Sequence, residues 1–232
     1  MATKKVPFIV IEGVDGSGVS TQAELLERKL RSTGREVYLT KEPTDGPAGA
    51  MIRLALAGRL VKQKDALDLR SFEAHTLALL FAADRMDHLY NDIIPKLDIG
   101  VIVISDRYYL SSYAYQGIDI NNIEWLQAIN SQCLRPDLTV FLDIDPAICC
   151  KRIQRRRWHV ELFEEQQKLE EVRRGYLKAI EYLAKQRENI VKVNGNQPIN
   201  MVHRDIMRAV KEILSKNRAT ASPQLSFQEV NI

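Results

Sequence analysis

A glycine-rich stretch at residues 13–21 is the feature that most narrows the folds open to this chain of 232 residues. The stretch reads Gly-Val-Asp-Gly-Ser-Gly-Val-Ser-Thr and directly follows the apolar run at residues 8–12. Glycines at such spacings let backbone N–H groups curl around phosphate oxygens, and a helix that begins right after them adds the positive end of its dipole. A helical apolar pattern begins at Thr21. The stretch therefore predicts a phosphate-binding loop between a buried strand and a helix.

The loop departs from the usual phosphate-binding pattern at one position. Gly13, Gly18 and Ser20 match the pattern, but Val19 occupies the position at which the pattern has a lysine. Three interpretations are open: a turn with no ligand, a loop that binds nucleotide but reacts poorly, and an active phosphotransferase that takes its positive charge from elsewhere. We favour the third. The predicted ATP-binding residues are Gly13, Val14, Asp15, Gly16, Ser17, Gly18, Val19, Ser20 and Thr21.

Apolar runs and helical patterns alternate along the rest of the chain. Further runs typical of buried strands lie at residues 36–40, 101–105, 138–143 and 190–193. Helical patterns lie at residues 21–31, 50–57, 71–89, 164–187 and 199–214, and Pro146 can begin another helix. Apolar strands separated by helices predict an α/β fold, a parallel sheet wrapped by helices. We expect one domain over residues 1–216, followed by a disordered or loosely packed tail at 217–232.

The composition excludes several classes of protein. Lys plus Arg number 33 and Asp plus Glu number 30, so the net charge of +3 is too balanced for a nucleic-acid coat protein. No run approaches the roughly 18 apolar residues of a membrane span, and the run at residues 8–12 is too short for a secretion signal. Three cysteines and four scattered histidines indicate reduced thiols and no metal site of their own. We expect a soluble cytoplasmic protein with no nucleic-acid or membrane partner.

Five blocks of sequence together resemble the thymidylate kinase family, which consists of P-loop nucleoside monophosphate kinases. The blocks lie at residues 11–18, 41–43 (Lys-Glu-Pro), 80–85 (Leu-Phe-Ala-Ala-Asp-Arg), 106–108 (Asp-Arg-Tyr) and 135–143, and they span most of residues 7–214. The resemblance implies a fold of the P-loop nucleoside triphosphate hydrolase type with a small arginine-rich lid. It implies phosphoryl transfer from ATP to dTMP, giving dTDP and ADP for dTTP biosynthesis. It also implies Mg²⁺ carried in with ATP, and a homodimer.

Asp106 and Arg107 close the apolar run at residues 101–105, so we expect both side chains at the carboxyl edge of the sheet, beside the loop. An Asp-Arg pair is often only a structural ion pair. At a strand end that faces a phosphate loop we favour the functional interpretation. Arg107 would bridge phosphates, and Asp106 would hold Mg²⁺ through water, together with the Ser20 hydroxyl, or orient the acceptor.

Phe81 and Arg85 lie four residues apart, so on a helix they share one face. Taken alone, they indicate core packing and a surface ion pair with Asp84 or Asp87, whereas the resemblance implies that they hold thymine. The resemblance also implies that Tyr115 crowds the 2′ position of the sugar and that Asp15 contacts the acceptor's sugar. The resemblance implies a dTMP site formed by Glu42, Pro43, Phe81, Arg85, Arg107, Ser112, Tyr115 and Gln116.

A basic run at residues 151–157 follows the helix that Pro146 begins. It is either a solvated helix end, favourable near the C-terminal dipole, or a mobile lid whose arginines close on ATP. Some thymidylate kinases carry an arginine within the phosphate loop and others carry it in this lid. The loop here has Gly16, so the resemblance implies the lid type. The predicted catalytic residues are Asp15, Asp106, Arg107, Arg155, Arg156 and Arg157.

Two alternative functions stay open. A kinase of another nucleotide or nucleoside would share the phosphate loop and the Asp-Arg strand end, and a substrate panel separates it from a thymidylate kinase. A nucleotide-binding protein with little turnover would account for Val19. ATP binding without formation of dTDP would favour that second alternative.

Overall fold

The computed structural model describes residues 6–60, 62–65, 68–70, 73–154 and 162–219. The strands are β1 (Phe8–Gly13), β2 (Val37–Lys41), β3 (Lys62–Asp65), β4 (Asp68–Arg70), β5 (Ile102–Asp106), β6 (Leu138–Asp143) and β7 (Ile190–Asn194). The helices are α1 (Val19–Arg31), α2 (Pro47–Leu56), α3 (Ala74–His88), α4 (Ile94–Asp98), α5 (Tyr109–Ile120), α6 (Ile123–Ile129), α7 (Pro146–Gln154), α8 (Leu162–Lys185) and α9 (Ile199–Ala219). One π-helical turn, Leu89–Ile93, joins α3 to α4.

Five of the strands form one parallel sheet in the order β2-β5-β1-β6-β7. Every residue of the central strand β1 is buried, because helices cover both faces of the sheet. One apolar layer joins the sheet to α3, α5 and α8, and the other joins it to α1 and α9. Two buried apolar faces explain why these strands are continuous apolar runs rather than alternating ones. The expected α/β fold with a parallel sheet is confirmed.

Neighbouring strands β1 and β5 send their following helices to opposite faces of the sheet. Helix α1 packs in one apolar layer through Leu26, and α5 packs in the other through Tyr113. At such a point the carboxyl ends of two parallel strands border an open crevice, where α/β proteins bind ligands. The loops after β1 and β5 therefore meet at one edge of the sheet.

Several element boundaries differ from those expected. Helix α2 begins at Pro47 rather than at residue 50, because a proline suits the first turn, where its missing N–H is not needed. Helix α9 continues to Ala219, past the start expected for the tail, and residues 220–232 lie outside the described part of the chain. The hairpin of β3 and β4 was not expected, nor were bounds for α5 and α6. In the described ranges no helix has both the length and the apolar character to cross a membrane.

Candidate functional site

The glycine-rich loop turns tightly from β1 into α1. The N–H of Ser17 donates to the carbonyl of Val14 at 3.0 Å, and Gly18, with φ +94°, leads into the helix. No side chain caps the N-terminus of α1, and its first turn carries no acidic residue. The first N–H groups of a helix lack partners within the helix, so an uncapped N-terminus of this kind suits an anion.

Gly16 lets helix α7 pack directly against the loop. Its φ is +79°, and a Cβ atom there would lie 2.8 Å from the Cys149 carbonyl oxygen, so a side chain does not fit. An arginine within the loop is therefore excluded at this position. Instead Arg152 of α7 donates from Nη1 to the carbonyls of Gly16 and Ser17, at 3.3 Å each.

Val19 does not face the mouth of the loop. Its side chain is 5% exposed and lies in the apolar layer between the sheet and α1, in the same cluster as Ile9 and Ile11. The position that the pattern assigns to lysine is therefore part of the core in this chain. Positive charge for bound phosphates has to come from other residues.

Asp106 and Ser20 meet where β5 ends and α1 begins. The Ser20 hydroxyl donates to Oδ2 of Asp106 at 2.5 Å. Burial raises the pKa of the Asp106 carboxyl, while the Ser20 hydrogen bond and Arg107 partly oppose that rise. Two oxygen ligands at the edge of a phosphate loop suit Mg²⁺, which takes one or two protein oxygens and completes its shell with phosphates and water. The buried Ser17 hydroxyl, inside the same loop, has no partner among the described residues, as expected where a polar ligand binds.

Arg107 lies beside the loop in a strained backbone conformation. Its φ is +73°, which is uncommon for a residue with a side chain. Nη2 donates to Oδ1 of Asp15 at 2.7 Å, and Nη1 donates to the hydroxyls of Ser111 and Tyr176 at 3.2 and 3.0 Å. The guanidinium carbon lies 5.4 Å from the centre of the Tyr115 ring. The structure thus brings Asp15, Arg107 and Tyr115 together, and their roles at a substrate stay predictions.

Glu12, which the sequence analysis did not single out, lies directly beneath this group. Its side chain is fully buried, and burial is the main cause that raises its pKa to about 7. The Tyr176 hydroxyl donates to its Oε2 at 3.0 Å. A carboxylate within an otherwise apolar strand was the available signal, because a buried charge needs partners.

The predicted acceptor residues form a buried network between α3 and α5. Arg85 is 1% exposed, and it donates from Nε to Glu42 at 2.9 Å and from Nη2 to Ser112 at 3.2 Å. Its Nη1 donates to Asn130. The ion pair of Arg85 is therefore internal and made with Glu42, not a surface pair with a neighbour on its own helix. Phe81 is partly buried on the same helix, and Gln116 is 8% exposed on α5.

The loop after β2 is tied to α3 by hydrogen bonds. His88 contacts two groups: its Nδ1 lies 3.1 Å from Oε1 of Glu42, and its Nε2 lies 2.7 Å from the hydroxyl of Thr40. Buried Asp84 accepts hydrogen bonds from the backbone N–H and hydroxyl of Thr44, at 2.8 and 2.5 Å. Glu42 and Pro43 are thus held next to the helix that carries Phe81 and Arg85.

A cleft of about 450 Å³ opens beside Ser20 and Asp106. Its wall continues along β2 and the loop between β2 and α2, with Lys41 as a cation in its lining. Of the predicted site residues within the described ranges, Ser20 and Asp106 line this cleft, whereas Phe81, Arg85 and Tyr115 do not. Arg155, Arg156 and Arg157, on which the lid prediction depends, lie outside the described residues.

Known proteins similar to this chain carry the same family name. The family model for thymidylate kinase matches residues 11–206. A protein of Thermococcus gammatolerans named "Probable thymidylate kinase" is 42% identical over 210 residues, which cover 90% of this chain and 98% of the relative. Relatives with the same name in Pyrococcus horikoshii and Pyrobaculum aerophilum are 40% and 46% identical. Those alignments cover 89% and 73% of this chain, and 97% and 81% of the respective relatives.

Proposed function

The chain belongs to the thymidylate kinase family and phosphorylates dTMP to dTDP with ATP, and we propose that this reaction takes place where the loop after β1 meets the end of β5. The observation that carries the proposal is the position of Arg107. Its guanidinium is joined to the loop through Asp15. Arg107 directly follows Asp106, whose carboxylate accepts the Ser20 hydrogen bond.

The loop and the start of α1 bind the donor in this proposal. Backbone N–H groups of the loop hold the phosphates of ATP, and Ser20 and Asp106 hold the Mg²⁺ that comes with it. Bound Mg²⁺ would help to neutralise the negative charge that develops on the phosphates during transfer. The hard oxygen ligands of Ser20 and Asp106, 2.5 Å apart, support this assignment.

Positive charge comes from arginines rather than from a lysine in the loop. Phosphoryl transfer needs alignment and stabilisation of negative charge more than covalent help from the protein. Arg107 supplies charge from the end of β5, and Arg155, Arg156 and Arg157 supply it from the lid. Arg152, which contacts the loop carbonyls, places a further cation on the α7 side of the donor.

The acceptor lies between α3 and α5. Phe81 stacks on thymine, and Arg85, Ser112 and Gln116 form the polar wall around the base. Tyr115 and Asp15 lie at the sugar, and their contact supports this: the Asp15 N–H donates to the Tyr115 hydroxyl at 3.2 Å. Glu42 and Pro43 shape the loop over the acceptor phosphate.

A second copy of this chain is the proposed partner. Helices α2 and α3 pack against each other, and their outer surfaces carry apolar side chains about half exposed, among them Met51, Leu54 and Leu79. A dimer formed through these helices would cover that apolar surface beside the acceptor site. Because ATP and dTMP are soluble nucleotides, we propose the cytoplasm as the compartment of the reaction.

One coupled assay of ADP release tests this function. The wild-type chain is given ATP, Mg²⁺ and one of four acceptors: dTMP, dUMP, UMP or thymidine, and dTDP is identified in the product. We expect the highest kcat/KM with dTMP. ATP binding without turnover on any acceptor, or a clear preference for another acceptor, would contradict the proposal.

A further inference from the structure

Four hydrogen-bond donors converge on the carboxylate of Glu12. The N–H groups of Tyr108 and Ser111 donate to Oε1 at 2.8 and 3.3 Å, and the hydroxyls of Ser111 and Tyr176 donate to Oε2 at 2.6 and 3.0 Å. An ionised carboxylate only accepts hydrogen bonds, so it satisfies all four donors at once. A protonated carboxyl would bring a competing donor into this buried space.

The same two hydroxyls accept hydrogen bonds from Arg107. Its Nη1 lies 3.2 Å from the Ser111 oxygen and 3.0 Å from the Tyr176 oxygen. Because each hydroxyl oxygen accepts from Arg107, its hydrogen stays available to donate to Glu12 at 2.6 Å (Ser111) and 3.0 Å (Tyr176). The Tyr176 hydroxyl also lies 3.2 Å from the Gly13 carbonyl and 2.8 Å from the Ser111 hydroxyl, so the ionised carboxylate is the strongest acceptor among its neighbours. The guanidinium is therefore oriented from two sides, by Asp15 through Nη2 and by Glu12 through the two hydroxyls.

Glu12 also supports the backbone turn that carries Arg107. That residue holds a φ of +73°, a conformation that persists only when the surroundings impose it. The Arg107 N–H donates to the Ile11 carbonyl at 3.0 Å, and the next N–H, of Tyr108, donates to Glu12. Consecutive residues of β1 thus hold consecutive residues of the turn.

Tyr176 reaches this group because α8 approaches α5 unusually closely. A Cβ atom on Gly175 would lie 2.5 Å from the Ala114 carbonyl oxygen, so only glycine allows the two helices this contact. The neighbouring Tyr176 is fully buried, and its ring packs against Phe141. The link between Glu12 and Arg107 therefore depends on the packing of two helices.

We propose that Glu12 is a positioning residue for phosphoryl transfer, which as a carboxylate holds the Arg107 guanidinium in place through the hydroxyls of Ser111 and Tyr176. The inference rests on the proposed function, in which Arg107 contacts the phosphates. Glu12 itself touches no substrate in this scheme. Its effect on the reaction passes through Arg107.

The ionised carboxylate is unfavourable for folding. Burial raises the pKa of Glu12 from 4.5 to about 7, so the folded state prefers the protonated form. Its contribution to stability is greatest below about pH 4.5 and is lost as the pH rises towards 7. The charged and titratable side chains that face Glu12 are Arg107 of the β5–α5 turn and Tyr176 of α8. Tyr108 faces it only through its backbone N–H, and the neighbour of Glu12 on β6 is the apolar Phe141.

The test compares Glu12→Gln and Tyr176→Phe with the wild type for kcat, KM for dTMP, and melting temperature across pH. We expect kcat to fall about tenfold or more in both variants, with a smaller change in KM. The wild-type kcat should fall below about pH 7, and Glu12→Gln should lose that part of the profile. The phosphate of dTMP also titrates near pH 6, but it does so with the wild type and with Glu12→Gln alike. The difference between their two pH profiles therefore reports the titration of Glu12. The melting temperature of the wild type should fall relative to that of Glu12→Gln as the pH rises from about 4.5 towards 7, because only the wild type has to ionise a buried carboxyl.

Tyr109→Phe is the matched control. The Tyr109 hydroxyl also donates to a carboxylate, that of Glu188, at 2.8 Å, but outside the site. Tyr109→Phe should change kcat by less than about twofold. If wild type makes dTDP while Glu12→Gln keeps its kcat and pH profile, the inference is overturned and the proposed function stands. An equal loss of kcat in Tyr109→Phe and Tyr176→Phe also overturns the inference. A wild type that makes no dTDP overturns both.

Discussion

Nη2 of Arg107 and Oδ1 of Asp15 lie 2.7 Å apart, which joins the end of β5 to the phosphate loop after β1. The two residues are 92 positions apart in the chain. Arg107 is about one-fifth exposed and Asp15 is largely exposed, so the pair lies at the mouth of the crevice. An ion pair in that position fixes the orientation of the guanidinium at the mouth of the crevice.

We expect Arg107→Ala to lower kcat about 10³–10⁵-fold, the range seen when an arginine that stabilises a transferring phosphoryl group is lost. Arg107→Lys should restore little, because lysine lacks the planar fork that reaches Asp15 and the two hydroxyls at once. Steady-state kinetics with dTMP and ATP measure both variants. Arg187→Ala is the control, since exposed Arg187 also has a left-handed φ, +61°, but lies at the end of α8. A loss below about tenfold in Arg107→Ala would contradict the role.

Phe81→Ala tests the acceptor site. We expect KM for dTMP to rise about 5–150-fold, because stacking of a base on an aromatic ring is worth about 1–3 kcal/mol, while KM for ATP stays nearly unchanged. Thr76→Ala, exposed on the same helix, is the control and should alter neither constant. Arg85→Ala is less informative, since it breaks a buried ion pair and leaves Glu42 only His88 as a side-chain partner among the described residues, and it should cost roughly 3–5 kcal/mol of stability. Unaltered dTMP kinetics in Phe81→Ala would remove it from the site.

The lid prediction is tested by replacing Arg155, Arg156 and Arg157 together with alanine. Turnover should collapse by about 10³-fold or more, far beyond any weakening of dTMP binding, because these charges act on the transferring phosphoryl group. The matched control replaces Arg204, Arg208 and Lys211, an exposed basic set on α9. A loss below about tenfold in the lid variant would mean that the run is only a solvated face.

Val19→Lys should change kcat only modestly if arginines already supply the charge. Because Val19 is packed in the apolar layer, a lysine there has to bury its stem or displace neighbours, and we expect a stability loss of roughly 1–3 kcal/mol. Val19→Met, which adds length without charge, separates the packing effect from the electrostatic one. An undetectable wild-type rate beside an active Val19→Lys variant would show that nothing else supplies the charge.

Much of the fold could be predicted because its signals are local. Strands buried on both faces have to be apolar throughout, and the loop needs glycines where a side chain would collide with Cys149 or strain the backbone. Helix boundaries were less predictable, as the early start of α2 at Pro47 shows. The bounds of α5 were not predicted, since its buried face mixes tyrosines with Ser112 and Gln116 and gives no clear apolar stripe.

The candidate site was predicted in part. The end of an apolar strand was enough to place Asp106 and Arg107 near the loop, because parallel strands end at one edge of a sheet. Their roles in the reaction stay predictions. The burial of Arg85 against Glu42 was not foreseen, because four-residue spacing places a side chain on a helix face without saying what covers that face.

Local sequence therefore decided the chemistry that this chain can carry: a phosphate loop without its lysine, a strand that ends in Asp-Arg, and helices that present an aromatic residue and an arginine. The tertiary structure decided which of these groups hold one another. Glu12 and Tyr176 are 164 residues apart, and their contact exists because Gly175 lets α8 reach α5. No periodicity encodes such a pair. A buried carboxylate takes its partners from whichever elements the sheet order brings to it, and its pKa follows from that burial.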